Sequence, residues 1–127
     1  MFEIGSRRWV VADGYIPEWG NGPRPEFASH DAACILNAGE REASVLLTVF
    51  LEERDPVVYS LSVGACRTLH QRLNELTEPE AIPPGLGYAY VVESDVPVVV
   101  QHTRLDSRQA ANALISTIAY PVQEDSQ

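Results

Sequence analysis

Apolar and β-branched residues along this chain come in short runs, interrupted about every eight to twelve positions by glycine, proline or a charged turn. That rhythm predicts a sandwich or barrel of strands. It is clearest over residues 57–63, where Val57, Tyr59, Leu61 and Val63 alternate with Val58, Ser60 and Ser62. One set faces a core and the other faces water. Strands are predicted over 7–12, 32–38, 43–52, 57–63, 66–72, 88–93, 96–104 and 114–120. In the first of these Trp9 and Val11 share a face. The tetrapeptide Gly39-Glu40-Arg41-Glu42 is a hairpin loop, Arg54-Asp55-Pro56 and Gly64-Ala65 are further turns, and Ser94-Asp95 is read as the turn of another hairpin. Eight strands predict an all-β fold, an eight-stranded antiparallel two-sheet sandwich.

Two segments resist a strand assignment. Residues 13–30 carry Gly14, Pro17, Gly20, Gly22, Pro23 and Pro25 and are predicted as one long Gly/Pro loop. A loop of that length in a small domain is usually an interaction element. Residues 74–87, with Pro79, Pro83 and Pro84, form a second long connection. Residues 106–113 are predicted as a turn or two of helix capped by Asp106 or Ser107. The 127 residues make one domain, residues 1–121, followed by a flexible acidic tail, VQEDSQ, over 122–127.

Composition narrows the functions. No run approaches the ~20 apolar residues of a membrane helix, and residues 1–8 lack the layout of a signal peptide. Cys34 and Cys66 lie in apolar segments without CxxC spacing, which predicts two reduced core thiols. Together these place the protein in the cytoplasm. The formal charge of −9 opposes a large phosphate-backbone interface. All nine basic residues are arginine, so Schiff-base chemistry and a phosphate-loop lysine are excluded.

Candidate chemistry gathers in VPVVVQHTRLD, residues 96–106. An apolar half is followed at once by Gln101, His102, Thr103, Arg104 and Asp106. In a regular strand His102, Arg104 and Asp106 share one face and Gln101 and Thr103 the other. Two readings stand. The strand end opens a ligand pocket, or Arg104 pairs with Asp106 or another acid and pins a loop. The loop GYIPEWGNGPRPEF adds Tyr15, Trp19, Asn21 and Phe27. Such aromatic faces suit a sugar or a partner protein, or they lid the core. His30, His70 and His102 show no metal-ligand spacing, so neither metal nor cofactor is expected. His70 is read as a surface residue and His30 as a hydrogen-bonding group at a strand start. No GxSxG or comparable motif exists, and the chain is read as a binding domain rather than an enzyme.

The segments GYIPEWGNGPRPEF, CILNAGE and VPVVVQHTRLDSRQAANALISTIAY resemble the sensory rhodopsin transducer family, over about Trp9 to Tyr120. The resemblance implies a jelly-roll-like sandwich that assembles as a homotetramer. It further implies a small-molecule binding domain, for a sugar or sugar acid, or alternatively a soluble adaptor that docks on a membrane photoreceptor. A link to DNA is implied too, but the net charge weighs against it. The family pattern matches at Trp9, Tyr15, Pro17, Asn21, Gly22, His30, Asn37, Arg67, His102, Arg104 and Asp106. Trp19 departs, standing where the family has a smaller aromatic, and residues 52–59 and 81–88 depart more freely. The candidate ligand-binding set is therefore Trp9, Tyr15, Asn21, His30, Asn37, Arg67, Gln101, His102, Arg104 and Asp106.

Overall fold

A strand buries every second side chain, and that rule places most of this core. The computed structural model describes residues 3–21, 28–109 and 111–123. Its strands are β1 (Ser6–Tyr15), β2 (His30–Asn37), β3 (Ala43–Leu51), β4 (Val57–Val63), β5 (Arg67–Arg72), β6 (Gly87–Asp106), β7 (Ala113–Ile118) and β8 (Tyr120–Pro121). Among the described residues one 3-10 turn spans Leu73–Glu75. Ala43, Val45, Leu47 and Val49 of β3 point inward, as do Ala33, Ile35 and Asn37 of β2.

Every pairing is antiparallel. One sheet has the order β4-β3-β6-β1-β8, and the other runs β5-β2-β6-β7. The all-β sandwich is as expected, but the two sheets share a strand. Segments 88–93 and 96–104 are not a hairpin: they are the two halves of the twenty-residue β6. A two-residue turn at Ser94-Asp95 would pair Glu93 with Val96. It would then send Tyr90 and Val92 to one face and Val96, Val98 and Val100 to the other. In the structure all of these even-numbered residues are buried together, so the alternation passes unbroken through the supposed turn.

Strand β6 instead rounds a corner, as strands that change sheets do. Tyr90 Oη lies 2.8 Å from His102 Nδ1, although twelve residues of straight strand would span about 40 Å. The inside of the bend is the core. At the corner Asp95 accepts the Ser44 N–H (2.8 Å), and the Trp9 indole N–H is shared between the Ser6 and Val98 carbonyls, 2.9 Å from each. Gly5, at φ +109°, passes so close that a Cβ there would meet the Val98 carbonyl oxygen at 2.0 Å.

Other expectations need correction. Strand β1 continues through Gly14 to Tyr15, three residues into the predicted loop. Gly14 is tolerated there because the Tyr88 ring occupies its Cβ position. Residues 106–113 hold no helix among the described residues: Asp106 closes β6 and Ala113 opens β7. The predicted strand 114–120 divides at Ala119, with β7 on β6 and β8 on β1. Both thiols are free, but only Cys34 is half-buried. Cys66 is exposed in a turn at φ 54°, outside the strand that begins at Arg67. Gly22, Pro23, Pro25, Phe27 and residues 124–127 of the predicted tail lie outside the described residues.

At the end of the sandwich beyond β2, Asn37 is fully buried. Its amide donates to the carbonyls of Arg41 (2.8 Å), Val63 (3.1 Å) and Gly64 (3.1 Å), and its oxygen accepts the Gly39 N–H (3.0 Å). It ties two turns together and is a staple of the fold. Asn37→Ala should lower stability by about 2–3 kcal/mol, because it strands buried backbone groups. Urea unfolding checks this, and a loss below about 1 kcal/mol would contradict the staple.

Candidate functional site

The inward face of β2 carries one acid, Asp31, in phase with Ala33 and Ile35 and 0% exposed. A carboxylate there persists only if donors surround it. Its Oδ2 accepts the Tyr88 hydroxyl (2.7 Å) and the Tyr15 backbone N–H (2.8 Å), and its Oδ1 accepts the Arg104 Nε–H (2.9 Å). Arg104 also reaches the Asp13 carbonyl at 3.2 Å. His102 Nε2 stands 3.3 Å from Asp31 Oδ2, outside hydrogen-bond geometry.

Burial alone would raise the Asp31 carboxyl. His102, Arg104, Tyr88 and the Tyr15 N–H outweigh it and hold the group below the usual carboxylate range. The Tyr88 and Tyr90 hydroxyls are pushed up, first by burial and then by the Asp31 charge, so both keep their protons.

The same-face expectation for residues 102–106 holds for His102 and Arg104 and fails for Asp106. Beyond His102 the alternation slips and Leu105 is the buried residue. Asp106 turns to Arg108, which donates to both carboxylate oxygens at 3.0 and 2.7 Å. The guanidinium of Arg108 lies 5.6 Å from the ring centres of both Tyr15 and Trp19, and that of Arg104 lies 5.9 Å from Tyr15. Cations at this distance are attracted to aromatic faces.

The loop after β1 is seated on this array. Asn21 donates its side-chain amide to the Arg108 carbonyl (2.7 Å) and its backbone N–H to the Ser107 carbonyl (2.6 Å). Ser107 is buried and its backbone N–H donates to Ser29 Oγ (2.9 Å). Gly20 permits the contact, since a Cβ would meet Ser107 Oγ at 2.4 Å. Trp19 is left 57% exposed. On one side it borders an open cleft of about 500 Å³ that includes Asp106, Arg108, Gln109, Ala111 and Ala113. On the other lies a cleft of about 310 Å³ toward Pro17, Asn74 and Ile82. A third cleft, of about 350 Å³ near Ile4, Arg41 and Pro97, lies at the opposite end and has no aromatic wall.

Tyr15, Asn21, His102, Arg104 and Asp106 thus gather at one end, where His30 also lies at the start of β2, and the remaining predicted residues do not join them. Trp9 is in the core. Gln101 is exposed on the outer face of its sheet. His30, paired with Leu105, donates its Nδ1–H to the Ala28 carbonyl (2.7 Å) and closes the start of β2. Asn37 and Arg67 face each other across the far end of β2, and Arg67 is exposed beside Cys66. Arg104 pairs with an acid, but that acid is Asp31, and the contact joins β6 to β2 and β1 rather than pinning a loop. The sequence reading missed Asp31, Tyr88, Arg108 and Gln109. An acid in phase with Ala33 and Ile35 was the available signal for Asp31. Among the described residues no three His, Cys, Asp or Glu side chains converge as a metal site.

Because the Asp31 pKa is lowered on folding, its contribution is complete above the unfolded value of 3.8 and disappears as pH falls through the lower folded value. Asp31→Asn should cost about 2–3 kcal/mol at pH 7, since it leaves a partly buried guanidinium without its partner. The loss should begin to shrink below about pH 4, where the unfolded carboxyl takes up its proton, and should vanish below the lower folded value, where the native carboxylate is protonated too. Urea midpoints at the two pH values test this, and an equal loss at both would contradict it.

Comparison with known proteins bears on this arrangement. Residues 4–121 match the family model described as Anabaena sensory rhodopsin transducer. The crystal structure of Thermotoga maritima 1070 superposes with a TM-score of 0.84 at 37% identity, covering 96% of this chain and 99% of that one. The Anabaena sensory rhodopsin transducer superposes with a TM-score of 0.74 at 52% identity, covering 86% and 96% respectively. No curated protein matches the chain. On these grounds the chain belongs to the Anabaena sensory rhodopsin transducer family.

Proposed function

We propose that this is a non-catalytic sensing domain that binds a sugar or sugar acid on Trp19, in the cleft shared with Asp106, Arg108 and Gln109. The observation that carries the reading is a large exposed indole held in place beside fixed hydrogen-bonding groups. An indole face accepts the apolar face of a pyranose, while carboxylate, guanidinium and amide groups match its hydroxyls. Holding these groups in advance reduces the ordering cost of binding. In this reading His102, Arg104, Tyr15 and Asn21 are positioning residues that hold the loop and Arg108, and they touch no ligand.

A second reading is favoured by the family. One relative is by name a sensory rhodopsin transducer, which supports an adaptor that docks on a membrane photoreceptor and relays its signal. Among the described residues no helix is long and apolar enough to cross a membrane. A cytoplasmic homotetramer fits either reading. Direct DNA binding ranks last because of the charge of −9.

A thermal-shift screen against neutral sugars and sugar acids tests the first reading, since a ligand of the folded state raises Tm with concentration. At least one compound should do so, and Trp19→Ala should weaken it tenfold or more while the unliganded Tm changes little. No shift across a broad library, or an intact shift in Trp19→Ala, would overturn the assignment.

A further inference from the structure

The Trp19 cleft contains charged groups but, among the described residues that line it, no net charge. Its ionised side chains are Asp106 and Arg108, beside the neutral Gln109. Each is committed to the other. Arg108 donates its Nε–H to Oδ1 of Asp106 (3.0 Å) and an Nη2–H to Oδ2 (2.7 Å), and its backbone N–H adds a third bond to Oδ1 (3.1 Å). The Arg108 side chain thereby holds the Asp106 carboxyl below the usual carboxylate range, so it stays ionised at neutral pH.

Arginine grips a ligand carboxylate best through such a fork of two parallel hydrogen bonds, and here the protein's own acid has taken it. The next guanidinium is committed too: Arg104 donates to Asp31 Oδ1 (2.9 Å) and to the Asp13 carbonyl (3.2 Å). Glu18 lines the cleft on the other side of the indole, and the chain carries a charge of −9. An anionic ligand entering here would share one guanidinium with Asp106 and approach against the field of the whole molecule.

A hydroxyl meets a different surface. It both donates and accepts, whereas an ionised carboxylate only accepts. The Asp106 oxygens are acceptors, the guanidinium N–H groups turned away from Asp106 are donors, and the Gln109 amide supplies one of each kind. Neighbouring hydroxyls on a ring can therefore bridge the acid and the base. The guanidinium lies 5.6 Å from the centre of the Trp19 ring, so this paired surface stands beside the indole that takes the apolar face of the sugar.

We infer that the cleft selects neutral sugars over sugar acids, and that Asp106 sets the choice by occupying the fork of Arg108. This rests on the ligand reading of the Trp19 cleft and narrows it to uncharged polyhydroxyl compounds.

Matched pairs test the selection: D-glucose with D-glucuronate, D-galactose with D-galacturonate and D-mannose with D-mannuronate, titrated into the full chain at one ionic strength and followed by Tm. At least one neutral member should bind, and its uronate should bind tenfold more weakly or worse. In Asp106→Asn, which frees the fork, the neutral sugar should weaken and the uronate should gain, so that the ratio falls at least tenfold. A uronate that binds the wild type as well as its neutral partner, with both lost in Trp19→Ala, would overturn the selection and leave the cleft as the ligand site. A ratio unchanged in a folded Asp106→Asn would remove Asp106 as its cause. If that variant does not fold, the wild-type ratios alone decide. No binding by any of the six compounds would overturn the selection together with the ligand reading beneath it.

Discussion

One buried carboxylate sets the terms for this end of the molecule. Asp31 has no access to water, so its charge is tolerable only while donors from two other strands stay in place. Tyr15 of β1 supplies a backbone N–H, and Tyr88 and Arg104 approach from opposite halves of β6. The corner strand is thereby held closed across the sandwich, with the Tyr90–His102 contact beside it. A well-packed apolar residue would stabilise such a site about as well. The carboxylate selects a single arrangement, because any shift of β6 strands a charge in the core.

Recognition groups are attached to that arrangement at one remove. Arg104, fixed by Asp31, stands beside Tyr15, and Tyr15 lies between Arg104 and Arg108. Arg108, held by Asp106, faces Trp19. Asn21, Gly20 and the Ser29–Ser107 contact set the loop down on the same residues. The run QHTRLDSR thus explains itself mainly as the seat of the loop. Beside it Trp19 is exposed, with Arg108 and Asp106 half-buried next to it.

The strands were largely legible because alternation is a local property of the sequence. The β6 corner was misread at Ser94-Asp95, where residue types suggest a turn, yet the phase of Tyr90, Val92, Val98 and Val100 argues against one. Gly14 was taken for a loop residue because its reason, the Tyr88 ring, lies across the sheet. Tyr15, Asn21, His102, Arg104 and Asp106, grouped from the sequence, do lie together at one end of the sandwich. Asn37 and Arg67 were grouped with them although they sit at the far end of β2. Nothing in a linear pattern of polar residues separates a turn staple from a ligand contact. That distinction depends on which backbone groups a side chain meets.

A double-mutant cycle between Asp31→Asn and Arg104→Gln, read by urea unfolding at pH 7, tests most directly whether this pair governs the end of the sandwich. Residues in one ionic network couple by about 0.5–3 kcal/mol, and burial places this pair toward the upper end. The account predicts that the double variant is more stable than the sum of the single losses by about 2 kcal/mol. Additive losses would mean that the carboxylate and the guanidinium act independently, and the clasp would no longer explain how the loop and Trp19 are held.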